Sequence, residues 1–582
     1  MDTAAERQGN ISKREWMRLA VCAVLLLLFY SPLARYPMPR ADDIYNAVGA
    51  VALARGQGFA DISRPESPLM TKYGPLSALT FVPFVPAVGE NWRSFRWVGI
   101  VCLIAAMPLL YTLLRRRASP RCALTCLVLY LVNPLTIGNL SMMGNVGITM
   151  GLAAGLYLLA ERFPFGQKAA LALKRKPSVS TGQEPDSSPG RETDAVSPPV
   201  RSAPLWILAM TVIAALLFYA HKTGLVACAA LASYLFCIKQ RRATAALVLC
   251  GALLLCFPWL LRSRLATGNW ISRDYEAEIA GLAGSEKSAP DFLAWPAHMA
   301  ANLSEVPIEI GHALFPVLKT NTGVYRTRDE GTTIQFFGGS KLQSISTVLL
   351  WTLFSLTAWG WMLVWRETRG FVEWHLPWFL LTLLAFFVGV QYLVAFLPFF
   401  YLYLWRGIEQ AVVQVSRRWS NPAPAQTTIV PVLRHLSVVG VWILLLALLT
   451  KDLVVFWGRQ SDTGDRDPRW AWVAANVPET ETVYWLGLTN YAYGPWRFYD
   501  SGRKAVGVTA QEVEHLPANA RFVALPVEDT HEALLQKMGF KPVSEEPASV
   551  KPYVRPEVLT RLHPSQQAWY NSLPPPQRLW QR

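Results

Sequence analysis

Two adjacent carboxylates stand near the start of the chain, in Pro39-Arg40-Ala41-Asp42-Asp43-Ile44-Tyr45. They follow directly on the first long apolar segment, and an apolar run leads from them to Gly56-Gln57-Gly58-Phe59. That run predicts a short helix over residues 43–55, capped by Asp42 or Asp43 and stopped at Gly56. The first turn of a helix carries partial positive charge and free N–H groups, so it keeps nearby carboxylates ionised. An ionised carboxylate at a lipid–water boundary is what a general base requires, and a pair is what a metal clamp requires. Asp is also a favoured cap residue, so Asp42-Asp43 has two readings, a cap or a chemical site.

The elements that must position this pair are membrane segments. Of 582 residues, 52% are hydrophobic, 16% are charged and 23 are tryptophan. A soluble protein carries roughly 25% charged residues, so much of this chain belongs in lipid. Apolar segments able to cross about 30 Å of hydrocarbon are predicted at 16–33, 95–114, 122–138, 145–160, 204–220, 224–238, 243–261, 346–365, 375–390, 393–407 and 435–456. No small-residue cleavage site follows the first of these, which reads as an uncleaved span. The stretch 75–88 is apolar too, but Pro75, Pro83 and Pro86 make it an interfacial segment rather than a span.

The formal net charge is +15. Lys and Arg fall in short clusters between apolar segments rather than on one soluble domain, which argues against a nucleic-acid partner. Arg115-Arg116-Arg117, Lys174-Arg175-Lys176, Lys239 with Arg241-Arg242, Arg366 with Arg369, and Arg417-Arg418 all fall on the same side when the segments alternate. The short loops of the other side hold Lys222 alone in 221–223 and no Lys or Arg in 139–144 or at Gln391-Tyr392. Positive-inside bias then puts the N-terminus in the cytoplasm and the C-terminus outside a plasma (bacterial inner) membrane. All eight cysteines lie in or beside apolar segments and read as small hydrophobes, with no disulfide framework or metal-ligand spacing among them.

The expected fold is mostly α: a polytopic membrane domain over 1–456 with about eleven transmembrane helices, followed by a small extracytoplasmic α/β domain over 457–582. Residues 34–94 and 262–345 are its large outer loops, the second beginning at Arg262-Ser263-Arg264 and containing helical pieces around Asp291–Phe315. The loop 161–203, rich in Pro, Ser and charge, is expected to be disordered and cytoplasmic. In the C-terminal domain strands are predicted at 482–488, 504–508 and 521–526. Between and after them come helices begun by Thr509/Glu512 and Asp529/Glu532, the second stopped by Gly539. From Glu545 onward the chain is Pro-rich and reads as irregular.

Several phrases, in order, resemble the GT-C class of integral-membrane glycosyltransferases, which includes protein O-mannosyltransferases, aminoarabinose transferases and arabinofuranosyltransferase-like proteins. Asp42-Asp43-Ile44-Tyr45 resembles the acidic pair of that class, and Ala50-Val51-Ala52-Leu53-Ala54-Arg55-Gly56-Gln57-Gly58-Phe59 the phrase that follows it. Lys72-Tyr73-Gly74-Pro75-Leu76 is similar to K-Y-P-P-L. Pro258-Trp259-Leu260-Leu261-Arg262 with Thr267-Gly268-Asn269 is similar to P-W-x-x-R-N…G-N/P, and Gln391-Tyr392-Leu393…Leu397-Pro398 to R-Y-L-x-x-x-x-P. Two departures stand out: Gln391 replaces the Arg of the last phrase, and 139–145 has no acidic residue where many relatives have one.

The resemblance implies transfer of a sugar, hexosyl or pentosyl, from a polyprenyl-phosphate donor to a lipid, glycan or protein acceptor at the outer face, with inversion. Asp42 or Asp43 would then be the catalytic base, with Asp42 in the first position of the family pair. The phosphate leaves readily and needs positive charge rather than a second acid. Its candidate contacts, with those of the sugar, are Arg40, Tyr45, Lys72, Tyr73, His221, Lys222, Arg262, Arg264, Gln391 and Tyr392. Each cation has a plainer reading: Lys222 as a snorkelling side chain, Arg262 and Arg264 as headgroup anchors, His221 as a structural residue. Asp61, Glu66, Asp274 and Glu276 are further acidic partners or solvated surface. The cofactor this allows is a divalent metal, Mg2+ or Mn2+, held by Asp42 and Asp43; the partners are the lipid-linked donor, the acceptor and membrane lipids. The competing function is a transporter or flippase of a lipid-linked glycan. Against it stand span centres almost bare of charge and the absence of an internal repeat. A non-catalytic scaffold would leave both aspartates dispensable.

Overall fold

A chain segment in lipid has no water to satisfy its backbone, so its peptide groups must bond along the segment itself, as a helix. The structure, a computed structural model, describes residues 11–30, 41–64, 67–71, 74–88, 95–133, 135–137, 146–162, 203–270, 295–316, 340–385, 390–419, 440, 443–444, 447, 477–478, 480–486, 503–508, 510–526, 532–542 and 577–581. Its longer helices are α1 (Lys13–Tyr30), α2 (Ala41–Ala54), α3 (Leu76–Phe81), α4 (Phe95–Arg115), α5 (Pro120–Leu131), α6 (Val146–Arg162) and α7 (Ala203–Ala220). They continue as α8 (Gly224–Ser233), α9 (Arg242–Thr267), α10 (Trp295–Leu314), α11 (Ser340–Thr368), α12 (Phe371–Ala385) and α13 (Leu397–Trp419).

Among the described residues, Trp97–Arg115, Arg242–Thr267 and Thr347–Thr368 are long and apolar enough to cross a membrane on their own. Shorter apolar helices include Pro120–Leu131, Pro204–Ala220, Gly224–Ile238 and Phe371–Ala385. Leu254 is 71% exposed and Val348 64%, apolar surface of the kind that hydrocarbon covers. This is a helical membrane protein. The expected span 435–456 lies almost wholly outside the described residues, as does the loop 161–203 apart from its ends, which are helical.

Several boundaries differ from the sequence reading for physical reasons. α2 spans Ala41–Ala54 rather than 43–55, and Gly56 at φ +71° ends it, with Gln57 N–H returned to the Ala52 carbonyl at 2.9 Å. α9 runs on to Thr267, so Arg262-Ser263-Arg264 belong to its last turns and not to a loop; Gly268 at φ +80° caps it. The segment 75–88 breaks into α3, a 3-10 turn (Val82–Phe84) and a helical turn (Val85–Val88), because Pro83 and Pro86 lack the N–H a continuous ladder needs. One α1 signal had gone unread: Ser12 and Glu15 form a capping box, with Ser12 N–H to Glu15 Oε2 at 2.7 Å. The same carboxylate accepts Tyr111 Oη–H at 2.8 Å and pairs with Arg115, tying α1 to α4.

Backbones approach closely where glycine allows it. A Cβ on Gly360 of α11 would strike the Tyr403 carbonyl of α13, and one on Gly407 of α13 the Leu356 carbonyl of α11. At the Arg117 end of the bundle a buried ion-pair network joins four elements. Arg117, expected among loop charges, is 2% exposed. Its Nε and Nη2 bond both oxygens of Glu373 at 2.6 and 2.8 Å, and Nη2 also meets Glu161 at the end of α6. Tyr403 Oη–H donates to Glu373 at 3.0 Å. Beside it, Tyr157 and His375 Nδ1 share a 2.8 Å hydrogen bond within an aromatic shell.

The C-terminal region forms a five-stranded sheet in the order β2-β1-β3-β5-β4, from β1 (Thr482–Leu486), β2 (Lys504–Val508), β3 (Phe522–Pro526), β4 (Lys541–Pro542) and β5 (Gln577–Gln581). β1 pairs parallel with β2 and β3, with Val483 opposite both Ala505 and Phe522. Short helices at Ala510–Val513 and Glu532–Lys537 lie in sequence where the capping signals put them, and Gly539 at φ +84° closes the second. The tail is not wholly irregular, as had been expected from Glu545 onward. β5 follows Pro574–Pro576 and runs antiparallel between β3 and β4, satisfying an edge that β3 would otherwise expose.

Candidate functional site at the carboxylate end of the bundle

Asp42 and Asp43 occupy the first turn of α2, within the described backbone. Their side chains lie outside the described residues, as do Arg40, Lys72 and Tyr73, Glu66, Asp274 and Glu276, and the side chain of Gln391. α2 is apolar on nearly every face, and Tyr45, Ala47, Val48, Ala50, Val51 and Ala52 are all buried. It packs with Phe59, Ile62, Met70, Ala78, Phe81, Phe95, Ala215, Phe218, Cys256 and Trp259 in a hydrophobic cluster separate from the main core. Parts of the chain from residue 45 to 259 therefore meet at one end of the bundle. Phe81 and Phe95 lie 5.3 Å apart and Phe59 and Trp259 5.7 Å apart, ring centre to ring centre.

The segment after α2 is a small hairpin. Asp61 N–H bonds the Pro68 carbonyl at 2.8 Å, Met70 N–H bonds the Phe59 carbonyl at 3.1 Å, and Ala60 bridges to Leu69. Asp61, 1% exposed, turns its carboxylate inward to Ser63 and to Arg64 Nε at 3.2 Å. Burial pushes its carboxyl pKa above the usual carboxylate range, with the Ser63 and Arg64 contacts working the other way. That geometry makes Asp61 a fastening of the hairpin.

Arg262 holds this hairpin from α9. Its Nη2 donates to the Phe59 carbonyl at 2.8 Å and its Nη1 to the Met70 carbonyl, while the guanidinium lies 4.6 Å from the Trp259 ring centre. Two of its donors are therefore committed to backbone. Arg264, two residues on and so on the opposite side of the last turn, is exposed and is not brought into the cluster.

Of the Lys72-Tyr73-Gly74 phrase, Gly74 lies within the described residues, and it meets the end of α7 just before the His221-Lys222 turn. Gly74 sits against the backbone of Tyr219, where a Cβ would strike the Tyr219 carbonyl. Tyr219 is T-shaped to Trp259 at 6.3 Å and its hydroxyl donates to the Leu255 carbonyl, joining α7 to α9. His221 Nδ1 accepts Thr223 N–H at 3.3 Å and lies 2.8 Å from Thr223 Oγ1, so this ring organises its own turn. The Lys222 ammonium is removed from solvent. Tyr45 is 2% exposed. Tyr392 packs instead on the main core, in a short helix (Val390–Leu393) that lies against α10. The structure thus joins Tyr45, Gly74, Tyr219 and Arg262, leaves Arg264 and Tyr392 apart from them, and holds His221 within its own turn.

Sequence reasoning passed over Gly49 and Asn46. A Cβ on Gly49 would meet the Phe59 ring and Met70 Sδ, so the hairpin rests on α2 at that point. A glycine in mid-helix, costing about 1 kcal/mol against alanine, was the available signal. Asn46 is 4% exposed within the same helix, and a polar residue inside an apolar run was its signal. Among the described residues no three His, Cys, Asp or Glu side chains gather as a metal site.

No family model and no curated protein matches the chain. Solved structures do. The archaeal oligosaccharyltransferase AglB from Archaeoglobus fulgidus, in complex with an inhibitory peptide and a dolichol-phosphate, superposes with a TM-score of 0.50 at 11% identity, over 89% of this chain and 70% of that one. ArnT from Cupriavidus metallidurans, bound to undecaprenyl phosphate, is similar with a TM-score of 0.49 at 13% identity, over 92% of this chain and 97% of that one. At these identities the likeness is one of fold, and that fold is the GT-C fold.

Proposed function

We propose that the chain transfers a sugar from a polyprenyl-phosphate carrier to an acceptor hydroxyl at the outer face of the membrane. The observation that carries this reading is the convergence of four stretches at one end of a GT-C bundle. These are α2, whose first turn carries the two aspartates in sequence, the Arg262-held hairpin, the segment at Gly74, and the end of α7 at Phe218-Tyr219 that leads into His221-Lys222.

In this reading Asp42 takes the proton of the acceptor O–H as that oxygen attacks the anomeric carbon. The bond from that carbon to the phosphate oxygen breaks on the opposite side, so the configuration inverts and polyprenyl phosphate leaves. The leaving phosphate has a low proton affinity and needs cations rather than an acid. Lys72 and Lys222 are assigned to it, with Arg40 alongside. Arg262 acts through the hairpin, because two of its donors are spent on Phe59 and Met70. Tyr73 walls the sugar, Tyr45 props α2 from within the apolar cluster, and Gln391 and Tyr392 belong to the carrier's path. Asp43 orients the base or caps α2. The acceptor is a hydroxyl of a lipid, a glycan or a protein.

The test is transfer of labelled sugar by proteoliposomes of the full chain carrying Asp42→Asn or Asp43→Asn. Loss of transfer in Asp42→Asn by about 10²–10⁴-fold, with normal insertion, is expected for a general base. Full activity in both variants would refute the proposal. Movement of a lipid-linked sugar across vesicles that hold no acceptor would favour a flippase instead.

A further inference from the structure

Asn46 lies one helical turn beyond the aspartate pair, at i+4 from Asp42 and i+3 from Asp43, so all three share a face of α2. The stripe continues to Gly49, where the Phe59 ring and Met70 Sδ, 3.1 Å from an added Cβ, close over the helix. Asn46 therefore sits between the acidic end of α2 and the hairpin that Arg262 holds. It is 4% exposed, and its Oδ1 has no hydrogen-bond partner among the described residues. Ser77, fully buried on α3, which packs against α2, likewise has an Oγ with no partner there. Buried carbonyl oxygens are nearly always bonded, because desolvating one without a partner is unfavourable. An orphan of this kind beside a carboxylate pair marks the place of a missing donor.

We infer that Asn46 reads a hydroxyl of the donor sugar, an inference that rests on the proposed function. The chemistry selects this partner. Oδ1 is an acceptor and needs a proton donor. The phosphodiester of a sugar-phosphate carrier is ionised and has none, and the polyprenyl chain has none. Sugar hydroxyls both donate and accept, so one carboxamide can bond two of them, its Oδ1 accepting and its Nδ2 donating. Asn46 is then a specificity residue: sugars with a hydroxyl in reach fill the orphan, and those without one leave it empty.

The experiment follows thermal unfolding and ligand titration of the full chain in detergent. The proteins are wild type, Asn46→Ala and Asn46→Leu. The probes are undecaprenyl phosphate alone and undecaprenyl phosphate carrying a hexose or a pentose, with no acceptor present. Bare carrier is expected to raise Tm equally in all three. A sugar-bearing carrier is expected to raise it further in wild type, and both variants are expected to lose that increment, with at least a tenfold weaker Kd for that carrier. Asn46→Leu is also expected to unfold at higher temperature than wild type without ligand, since it removes the orphaned oxygen at similar volume. A merely structural Asn46 would give the reverse. Retention of the full sugar increment by both variants overturns the inference, and so does a wild type that gains nothing from any sugar over bare carrier. A bare carrier without effect on wild type removes the proposed function itself, and the inference with it.

Discussion

The guanidinium of Arg262 donates to the backbone carbonyl of Phe59 at 2.8 Å and lies 5.8 Å from the centre of the same residue's ring. It fixes both the path of the hairpin and the side chain that rests on Gly49. Arg→Ala here removes two charge-assisted hydrogen bonds, a loss of roughly 2–3 kcal/mol. Arg262→Ala should lower Tm and open residues 59–71 to proteolysis, with Arg262→Lys intermediate because a single ammonium cannot span both carbonyls. Unchanged cleavage in Arg262→Ala would show that the hairpin does not depend on this grip.

Gly74 offers a sterically clean test of the site's assembly. An alanine methyl would enter the space of the Tyr219 carbonyl, which is backbone and cannot rotate away. Gly74→Ala should therefore push the chain at Gly74 away from the end of α7 that leads into His221-Lys222. The expected result is at least a tenfold fall in sugar transfer with a smaller loss of Tm; normal transfer would separate the two segments functionally.

At the other end of the bundle, Arg117→Met would leave Glu373, which is fully buried, without its counter-charge. Breaking a buried pair from one side costs about 3–5 kcal/mol. A thermal melt should register that loss, and adding Glu373→Leu and Glu161→Gln should recover much of it, since the uncompensated carboxylates are then gone.

Asp61 predicts a pH dependence. Its folded pKa is raised by burial above the unfolded value, so the folded state holds the proton longer and unfolding releases it. Stability from this group is present below the unfolded pKa, about 3.9, and is lost as pH rises through the folded value. Asp61→Asn cannot ionise. Its Tm relative to wild type should climb as pH is raised from 4 to 7, and a difference flat with pH would contradict the burial argument.

Much of the fold was legible because membrane segments advertise themselves. Apolar length marked the helices, Gly56 and Gly539 marked their stops, and the capping signals near Glu512 and Glu532 marked helices of the C-terminal region. The strand at 577–581 was not legible, because three prolines precede it and its cause is the open edge of β3, which a local pattern cannot contain. Arg117 read as a loop charge for the same kind of reason, since its two carboxylates stand 44 and 256 residues away.

By itself the sequence determined that this is a helical membrane protein and that Asp42 and Asp43 open the helix after its first apolar segment. Those are properties of composition and of short-range backbone preference. Only the tertiary structure decided which elements surround that helix. It seated the hairpin on Gly49, drew Gly74 to Tyr219, committed Arg262 to Phe59 and Met70, and left Asn46 Oδ1 buried with no partner among the described residues. Each of these depends on contacts between separate segments, made by packing and hydrogen bonding in space; a glycine or an asparagine inside an apolar run can mark such a position, but it does not name the partner.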